Sequence, residues 1–478
     1  MKRLQNYING KLSEPISQKY LDNLDPSSGL AYSLLPDSDE RDVEQAVNAA
    51  RAAFSDWAAT EAEERCLIML RIADLIERDL EMLAGAESTD NGKPVTLARS
   101  VDIPRAAANF RFYATAAMHM ANESHDTIGR NAINYTLRRP LGVVGCISPW
   151  NLPLYLFTWK VAPALAAGCT VVAKPSEITP MTAYLLSKLA IEAELPPGVL
   201  NIVHGTGPKV GSAIVAHRDT KAISFTGGTK TGEEIARVAA PMFKKLSLEL
   251  GGKNPNIIFA DCNYDEMIAT SVRSSFSNQG EICLCGSRIF VERPIYERFR
   301  NDLVESVKAL KVGDPADEAT DVGAIVSKQH LEKIMSYIEL AKTEGGTILC
   351  GGQAAAGTTG FFIEPTVIEG LPFDCRTNQE EIFGPVVTIM PFDTEDEVLR
   401  YANSVRYGLS ATVWTENLSR AHRVAAALES GIVWINCWLL RDLRTPFGGV
   451  KDSGVGREGG FEALKFFTEE KNVCLRIS

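Results

Sequence analysis

From about residue 142 onward, the sequence alternates between short apolar stretches and longer stretches in which apolar residues recur with a helical period. The first set of predicted strands covers residues 142–148, 170–173, 199–203, 222–225 and 245–250. The second set covers residues 256–259, 288–291, 348–350, 386–392, 410–414 and 431–436. Strands separated by helices of about 10–15 residues are typical of βαβ units and parallel sheets. The pattern therefore predicts two α/β domains that meet near Gly251 and Gly252.

Helical periodicity also appears before and within these sets, and two further strands lie outside them. Helices are predicted over residues 42–84, 104–120, 179–193, 208–217, 231–240, 295–310 and 328–344. The additional strands are predicted over residues 132–139 and 472–477. A chain of 478 residues is too long for one ordinary core, which agrees with the division into domains.

Composition excludes several classes of protein. The net charge of -11 repels phosphate backbones, so no nucleic-acid partner is expected. No segment has the roughly 20 consecutive apolar residues of a membrane span, so no membrane partner is expected. Ten cysteines without C-x-x-C pairs and six histidines without ligand spacing predict reduced thiols, a cytoplasmic location and no metal site.

Cys283 stands out among the cysteines because Gly280 and Glu281 precede it. This context suits a loop that enters a helix, where backbone amides and the helix dipole lower the pKa of a thiol. The alternative is a buried apolar thiol, the usual environment of a cysteine. Cys285 is either an inert neighbour or a redox partner of Cys283.

Two polar residues in apolar or turn-rich segments are further candidates. Glu249 lies between two leucines at the end of a predicted strand, so it is either a base with a raised pKa or the partner of a nearby lysine. Asn151 follows Pro149 and Trp150. Its amide either forms part of the turn or donates to a developing oxyanion.

Glycine-rich turns after two predicted strands suggest a nucleotide site. Residues 205–211 resemble a dinucleotide fingerprint with one residue too many, and residues 225–229 connect a strand to a helix. Either segment could face a pyrophosphate or form an ordinary tight turn. Lys174 and Glu177 follow another strand, where they suit the hydroxyls of an adenosine ribose or remain as surface charges.

Five segments in this order resemble the aldehyde dehydrogenase superfamily. They are residues 149–151 (PWN), 248–253 (LELGGK), 276–283 (FSNQGEIC), 381–385 (EIFGP) and 446–449 (PFGG). The resemblance runs over nearly the whole chain and implies a Rossmann-like cofactor domain, an α/β catalytic domain and a small β oligomerisation element. By this resemblance the cofactor domain comprises residues 1–122 and 141–250, the catalytic domain residues 251–447, and the oligomerisation element of a homodimer or homotetramer residues 123–140 and 467–478.

The resemblance also implies the role of individual residues. Cys283 is the nucleophile, Glu249 the base, and Asn151 with the Cys283 amide the oxyanion hole. The residues implied to bind the cofactor are Trp150, Lys174, Glu177, Gly207, Pro208, Phe225, Gly228, Glu381 and Phe383. Lys160 is a candidate proton relay. NAD is expected rather than NADP, because a carboxylate at position 177 repels a 2′-phosphate.

This chain departs from the family pattern at two of these places. Gly228 stands where the family usually has serine, which removes a side-chain contact to the pyrophosphate. Glu281 stands where glutamine is common, and its role is open.

Within the family, the chain resembles the 2-aminomuconic and 2-hydroxymuconic semialdehyde dehydrogenases. The similarity lies in residues 102–105 (DIPR), 148–155 (SPWNLPLY), 280–285 (GEICLC) and 436–442 (NCWLLRD). Arg105 and Arg441 fall where many relatives have apolar tunnel residues. Two guanidinium groups there suit the carboxylate of a semialdehyde substrate. The alternative is that they pair with Asp102 and Asp442.

The expected reaction is thus NAD-dependent oxidation of such a semialdehyde to a carboxylic acid through a Cys283 thioester. Three other functions stay open at this point: a general aldehyde dehydrogenase of another substrate class, a semialdehyde dehydrogenase that transfers the acyl group to CoA, and a non-catalytic structural or binding member of the family. Glu249 argues against CoA transfer, which needs no base to activate water. The presence of Cys283, Glu249 and Asn151 argues against a non-catalytic role.

Overall fold

The computed structural model describes residues 1–477, and its strands match most of the predicted ones within one to three residues. The strands are β1 (Lys2–Arg3), β2 (Asn6–Ile8), β3 (Lys11–Ser13), β4 (Tyr20–Asp25), β5 (Leu30–Pro36), β6 (Ser124–Thr127), β7 (Ala132–Pro140), β8 (Val143–Ile147), β9 (Thr170–Lys174), β10 (Leu200–Ile202), β11 (Thr220–Thr226), β12 (Lys245–Glu249), β13 (Pro255–Ile258), β14 (Arg288–Glu292), β15 (Thr347–Cys350), β16 (Thr366–Glu369), β17 (Val386–Phe392), β18 (Tyr407–Gly408), β19 (Ser410–Trp414), β20 (Ile432–Ile435), β21 (Val450–Lys451), β22 (Gly454–Val455) and β23 (Thr468–Arg476).

The helices lie mainly between the strands of the two large sheets. They are α1 (Glu40–Ala59), α2 (Ala62–Arg78), α3 (Leu80–Asn91), α4 (Val95–Leu97), α5 (Ile103–Met118), α6 (Pro153–Ala166), α7 (Met181–Glu192), α8 (Ser212–Ala216), α9 (Thr229–Ala239), α10 (Tyr264–Phe276), α11 (Arg293–Lys308), α12 (Lys328–Thr343), α13 (Arg376–Gln379), α14 (Glu395–Asn403), α15 (Leu418–Ala427) and α16 (Gly460–Phe466). Short π-helical turns occupy Ala98–Asp102 and Gly207–Gly211. Short 3₁₀ turns occupy Ile128–Arg130, Ala240–Met242 and Ser277–Gly280.

Two large sheets confirm the predicted α/β architecture. The first has eight strands in the order β22-β12-β11-β8-β9-β10-β2-β3, and its five central strands are parallel. The second has seven strands in the order β15-β16-β17-β14-β13-β19-β20, with β15 as its one antiparallel edge among the described residues. Every residue of β9 is buried, as expected of a parallel strand covered on both faces.

The parallel register brings the ends of the first sheet's strands to one edge. Ile147 at the end of β8 pairs with Lys174 at the end of β9, and Thr226 at the end of β11 pairs with Glu249 at the end of β12. Ligands of open α/β sheets bind at this edge. Register alone therefore gathers several of the predicted site residues.

A third sheet, in the order β23-β7-β6, contains the two outlying strands of the sequence analysis. β7 and β23 pair over nine residues, from Thr468 with Pro140 to Arg476 with Ala132. Ser478, which ends the predicted oligomerisation element, lies outside the described residues. The sheet contains both strands of the predicted oligomerisation element, β7 and β23. Its role in assembly remains a proposal.

Several elements were not predicted. Strands β1 to β5 have at most seven residues each and show no regular alternation, so periodicity does not reveal them. The single helical run predicted over residues 42–84 is three helices, separated near Thr60 and Asp79. Helix α10 was missed as well. In residues 1–477, no helix is long and apolar enough to cross a membrane.

Candidate active site

A cavity of about 490 Å³ is lined by the strand ends of the first sheet, by helices α5, α6 and α10, and by the loops around Cys283 and Arg441. Glu249, at the end of β12, and Cys283, in the loop before β14, both line it. Arg105 and Arg441 line the same cavity, as does Glu458. The fold thus brings together four predicted site residues that are up to 336 positions apart in sequence, the separation of Arg105 from Arg441.

Cys283 does not lie at the start of a helix, which corrects the sequence-based expectation. It follows α10 and the 3₁₀ turn Ser277–Gly280, and the chain continues from it into β14. Burial, with Glu381 and Glu249 nearby, raises the pKa of the Cys283 thiol above its usual value. The predicted lowering of the thiol pKa by a helix dipole is therefore wrong.

The loop before Cys283 has a strained backbone. Asn278, Gln279 and Gly280 all have positive φ angles, of 52°, 54° and 70°. At Gly280, an added Cβ would lie 2.2 Å from the carbonyl oxygen of Gly384, so only glycine fits. Consecutive left-handed residues are unusual and occur preferentially at functional sites.

Glu249 is buried, and neither of its carboxylate oxygens has a hydrogen-bond partner among the described residues. Burial and the nearby Glu458 raise its pKa well above the usual value of a glutamate. The alternative, a salt bridge to a lysine, does not occur in the described chain. At Gly448, an added Cβ would lie 2.9 Å from the Glu249 carboxylate, so this glycine leaves room for it.

Lys160, the candidate relay residue, pairs with Glu458 rather than with Glu249. The distance between Lys160 Nζ and Glu458 Oε1 is 2.8 Å, and Ser224 Oγ donates to the same oxygen at 3.0 Å. Glu458 borders the cavity and Lys160 lies behind it. Sequence reasoning missed Glu458, because a glutamate among glycines carries no distinctive signal.

Asn151 is buried, and both its side-chain amide and its backbone carbonyl form hydrogen bonds. Its side-chain Nδ2 donates to the backbone carbonyl of Glu281 at 2.9 Å, two residues before Cys283. One hydrogen of the side-chain amide remains for another acceptor. Its backbone carbonyl accepts from Lys93 Nζ at 3.0 Å and from Asn278 Nδ2 at 3.1 Å.

Glu281 is fully buried beside these groups and has no cationic partner within 3.5 Å among the described residues. Its carboxylate accepts from the backbone N–H of Val326 at 3.2 Å, and burial raises its pKa well above the usual value. Cys285 is buried and unpaired, and burial raises the pKa of its thiol. All ten cysteines are free.

The residues predicted to bind adenosine lie together at the edge of the first sheet. Lys174 Nζ and Glu177 Oε2 are 2.8 Å apart, and Glu177 Oε1 accepts from the backbone N–H of Gly207 at 3.1 Å. Pro208 follows in the same π-helical turn. Gly228 is the N-cap of α9 and makes no side-chain cap, and a Cβ added there would meet open space. Phe225 is buried in the core beneath Gly227.

A second group of predicted cofactor residues lies near Cys283. Glu381 accepts from the backbone N–H of Gly252 at 2.8 Å. Phe383, with a φ of 63°, contacts the Trp150 ring edge-to-face at 5.3 Å between centroids. His330, which sequence reasoning missed, holds this pair: it bonds the Phe383 carbonyl oxygen at 2.6 Å, and its ring lies 5.1 Å from that of Trp150.

Neither predicted acid pairs with the two cavity arginines. Asp102 forms a buried ion pair with Lys93, and Asp442 pairs with Arg444 at 2.6 Å. The ion pairs of the described chain include neither Arg105 nor Arg441. The alternative reading, in which the aspartates neutralise these arginines, is therefore wrong.

Tyr155 organises the two arginines. Arg441 donates to the Tyr155 hydroxyl at 2.7 Å, and the Arg105 guanidinium lies 5.7 Å from the centre of the Tyr155 ring. Arg441 also lies 4.1 Å from the centre of the Phe447 ring. A third arginine, Arg273, lines the cavity from α10. Sequence reasoning missed Tyr155 and Arg273, because only the fold brings them to this wall.

The site has close counterparts in known proteins. Residues 13–473 match the aldehyde dehydrogenase family. A 2-aminomuconic semialdehyde dehydrogenase of Bos taurus is 53% identical over 99% of this chain and 98% of its own. A 2-hydroxymuconic semialdehyde dehydrogenase of Pseudomonas sp. (strain CF600) is 47% identical over the full length of both. An aldehyde dehydrogenase from Bacillus cereus, solved as an NAD+ complex, superimposes with a TM-score of 0.98 at 42% identity, over 100% of this chain and 97% of that one.

The chain belongs to the aldehyde dehydrogenase family and is an enzyme of that family. The predicted fold class and family resemblance are confirmed. Among its relatives, the semialdehyde dehydrogenases of the 2-aminomuconic and 2-hydroxymuconic group resemble it over its full length.

Proposed function

We propose that this enzyme oxidises a carboxylate-bearing semialdehyde, such as 2-aminomuconate or 2-hydroxymuconate semialdehyde, with NAD. The observation that carries the proposal is the pair of arginines, Arg105 and Arg441, which line the Cys283 cavity without an acidic partner. An unpaired guanidinium in a partly buried wall favours an anionic ligand, and a carboxylate can accept two of its hydrogen bonds. The names of the relatives from Bos taurus and Pseudomonas support the same substrate class.

The proposed mechanism begins at Cys283. Because the free thiol has a raised pKa, Glu249 accepts its proton, and the thiolate attacks the aldehyde carbon. The carbonyl oxygen becomes an oxyanion, which the Asn151 side-chain amide and the Cys283 backbone N–H stabilise. The nicotinamide cofactor would supply the acceptor for the hydride that leaves this carbon. Cys283 then carries a thioester. Glu249 first releases the thiol proton to solvent and then removes a proton from the attacking water, and hydrolysis frees the carboxylic acid and the Cys283 thiolate.

The residues present fit a nicotinamide dinucleotide. Glycines at positions 207 and 228 leave open backbone at the strand ends, and Gly228 begins α9 with its N–H groups uncapped by a side chain. Lys174 and Glu177 would hold the adenosine ribose, and Glu381 the nicotinamide ribose. The path between the two riboses would be lined or supported by Trp150, Pro208, Phe225 and Phe383. Since Gly228 has no side chain, position 228 would offer the pyrophosphate backbone groups alone.

Glu177 supports NAD over NADP. Its carboxylate is held by Lys174 and by the N–H of Gly207, so it cannot turn away from a 2′-phosphate without losing these bonds. We expect Glu177→Gln to raise kcat/KM for NADP relative to NAD by about tenfold, because one repelling charge is removed. Initial rates with both cofactors and one uncharged aldehyde check this. An unchanged ratio would show that Glu177 does not select the cofactor.

The arginine proposal predicts a selective effect of Arg441→Met. This change removes the guanidinium, with its contact to the Phe447 ring, but keeps an unbranched apolar side chain at this position. We expect KM for a carboxylate-bearing semialdehyde to rise about 10- to 100-fold, since charge-assisted hydrogen bonds contribute roughly 1.5–3 kcal/mol. KM for an uncharged aldehyde of similar length should change far less. Steady-state kinetics with both substrates measure the difference.

Arg444→Met is a matched control for this experiment, because Arg444 is exposed and already paired with Asp442. It should leave both KM values near those of the unmodified enzyme. Equal increases for both substrates in Arg441→Met would reject the carboxylate clamp, while the assignment to the aldehyde dehydrogenase family would stand.

Transfer of the acyl group to CoA is the second candidate reaction. The buried, unpaired carboxylate of Glu249 favours hydrolysis, because a thiol acceptor needs no base to activate water. A rate of NADH formation that depends on added CoA would support the alternative.

We also propose the division into a cofactor domain (1–122 and 141–250), a catalytic domain (251–447) and an oligomerisation element (123–140 and 467–478). Assembly into a homodimer or homotetramer would use the β23-β7-β6 sheet, whose strands extend to exposed residues near Arg476. Ten unpaired cysteines agree with a reducing compartment such as the cytoplasm.

A further inference from the structure

A buried lysine that the proposed mechanism does not use, Lys93, connects two parts of the site. Its side chain and that of its ion-pair partner Asp102 are both 0% exposed. The same ammonium group donates to the backbone carbonyl of Asn151 at 3.0 Å. A buried ammonium is costly unless a counter-charge and hydrogen bonds compensate it, so these three groups are held in one arrangement.

Several hydrogen bonds hold the chain around Asn151, including one from Asn91 Nδ2 to the Trp150 carbonyl at 3.0 Å. Among the described residues, Lys93 supplies the one charged donor to the Asn151 carbonyl. Asn278 Nδ2 is the other donor to the Asn151 carbonyl, at 3.1 Å. Further along, the Glu87 carboxylate accepts from the backbone N–H of Leu154 at 3.2 and 3.3 Å. An oxyanion donor stabilises charge only if it is aimed before the reaction, and a displacement of about 1 Å is costly.

The counter-charge of Lys93 has a second consequence. Asp102 borders the cavity at the end of the π-helical turn, three residues before Arg105. Because Lys93 takes up the Asp102 carboxylate, that carboxylate does not neutralise Arg105. One buried ammonium therefore supports the oxyanion donor and leaves the cavity with unpaired positive charge.

We propose that Lys93 is a positioning residue, which holds the Asn151 peptide so that the Asn151 side-chain amide points at the oxyanion formed on the aldehyde. The proposal rests on the proposed role of Asn151 as oxyanion donor. In the chemical step, Lys93 contacts none of the reacting atoms and acts through Asn151.

The decisive variant is Lys93→Met/Asp102→Leu, which replaces the ion pair with apolar side chains and leaves no unpaired carboxylate at position 102. With saturating NAD and an uncharged aldehyde, we expect the single-turnover rate of NADH formation to fall about 10- to 100-fold. NAD affinity, measured by fluorescence quenching, and the ratio of kcat/KM for charged and uncharged aldehydes should stay unchanged. Lys244→Met is the matched control, because Lys244 is also buried and donates to backbone carbonyls, but at the opposite edge of the first sheet. It should keep about the original rate.

A double-mutant cycle with Asn151→Ala separates positioning from a general structural role. Asn151→Ala alone should lower the rate about 10²- to 10³-fold. Combined with the Lys93→Met/Asp102→Leu change, it should lower the rate no further, because Lys93 acts through the amide already removed. Independent, multiplying effects would overturn the inference, as would an unchanged rate in Lys93→Met/Asp102→Leu. An unchanged rate in Asn151→Ala would instead reject the oxyanion role, and the inference with it.

Discussion

Replacing Cys283 with alanine is expected to abolish NADH formation with every aldehyde. Cys283 is the one cysteine among the described cavity-lining residues, and the proposed reaction needs its sulfur to bond the aldehyde carbon before hydride can leave. No other group in the cavity is a comparable nucleophile at neutral pH. NADH absorbance measures the loss, and mass spectrometry of the enzyme mixed with aldehyde and NAD should find no acyl adduct in the variant.

Cys285→Ala is the matched control, since Cys285 is two residues away, buried and outside the residues that line the large cavity. It should retain most of the activity and still form the adduct at Cys283. Residual turnover in Cys283→Ala that disappears only when Cys285 is also replaced would contradict the assignment of Cys283 as the sole nucleophile.

Glu249→Gln is expected to stop turnover after the thioester has formed. General-base catalysis contributes roughly 10²- to 10⁴-fold, so we expect the steady-state rate to fall about 10³-fold. A burst of one NADH per active site should remain, because hydride transfer needs no base. The burst should form more slowly than in the unmodified enzyme, because the amide of Gln cannot accept the thiol proton. Stopped-flow absorbance resolves the burst from the steady state.

The pH dependence gives a second test of Glu249. Its pKa is raised, mainly by burial and then by Glu458, so the carboxyl stays protonated to a higher pH than an exposed glutamate, which titrates near about 4.3. A base works only when deprotonated. The hydrolysis rate should therefore fall as the pH is lowered through this raised pKa, and Glu249→Gln should lose that dependence. A full-rate steady state in Glu249→Gln would reject Glu249 as the base.

Much of the fold could be predicted from the sequence, because parallel strands are local and regular. Strands such as Val386–Phe392 and Ser410–Trp414 were predicted to the residue, since short β-branched and apolar runs between helices have few other uses. The strands of the N-terminal 36 residues were not predicted, because they are short and lack regular alternation. They pair mostly with one another, and β2 also pairs with the distant β10. Each family motif is a run of contiguous residues, so the sequence alone was also enough to identify Cys283, Glu249 and Asn151 as candidate site residues.

The sequence was thus enough to predict which residues carry the reactive and charged groups of the site, namely Cys283, Glu249, Arg105 and Arg441. Which charges meet was decided only by the tertiary structure. Asp102 and Arg105 are near neighbours in sequence, yet Asp102 pairs with Lys93, because folding buries both side chains and their ion pair reduces the cost of burying the two charges. The thiol pKa likewise depends on desolvation and on Glu381 and Glu249, which are distant in sequence, and no local motif reports the solvent that folding removes.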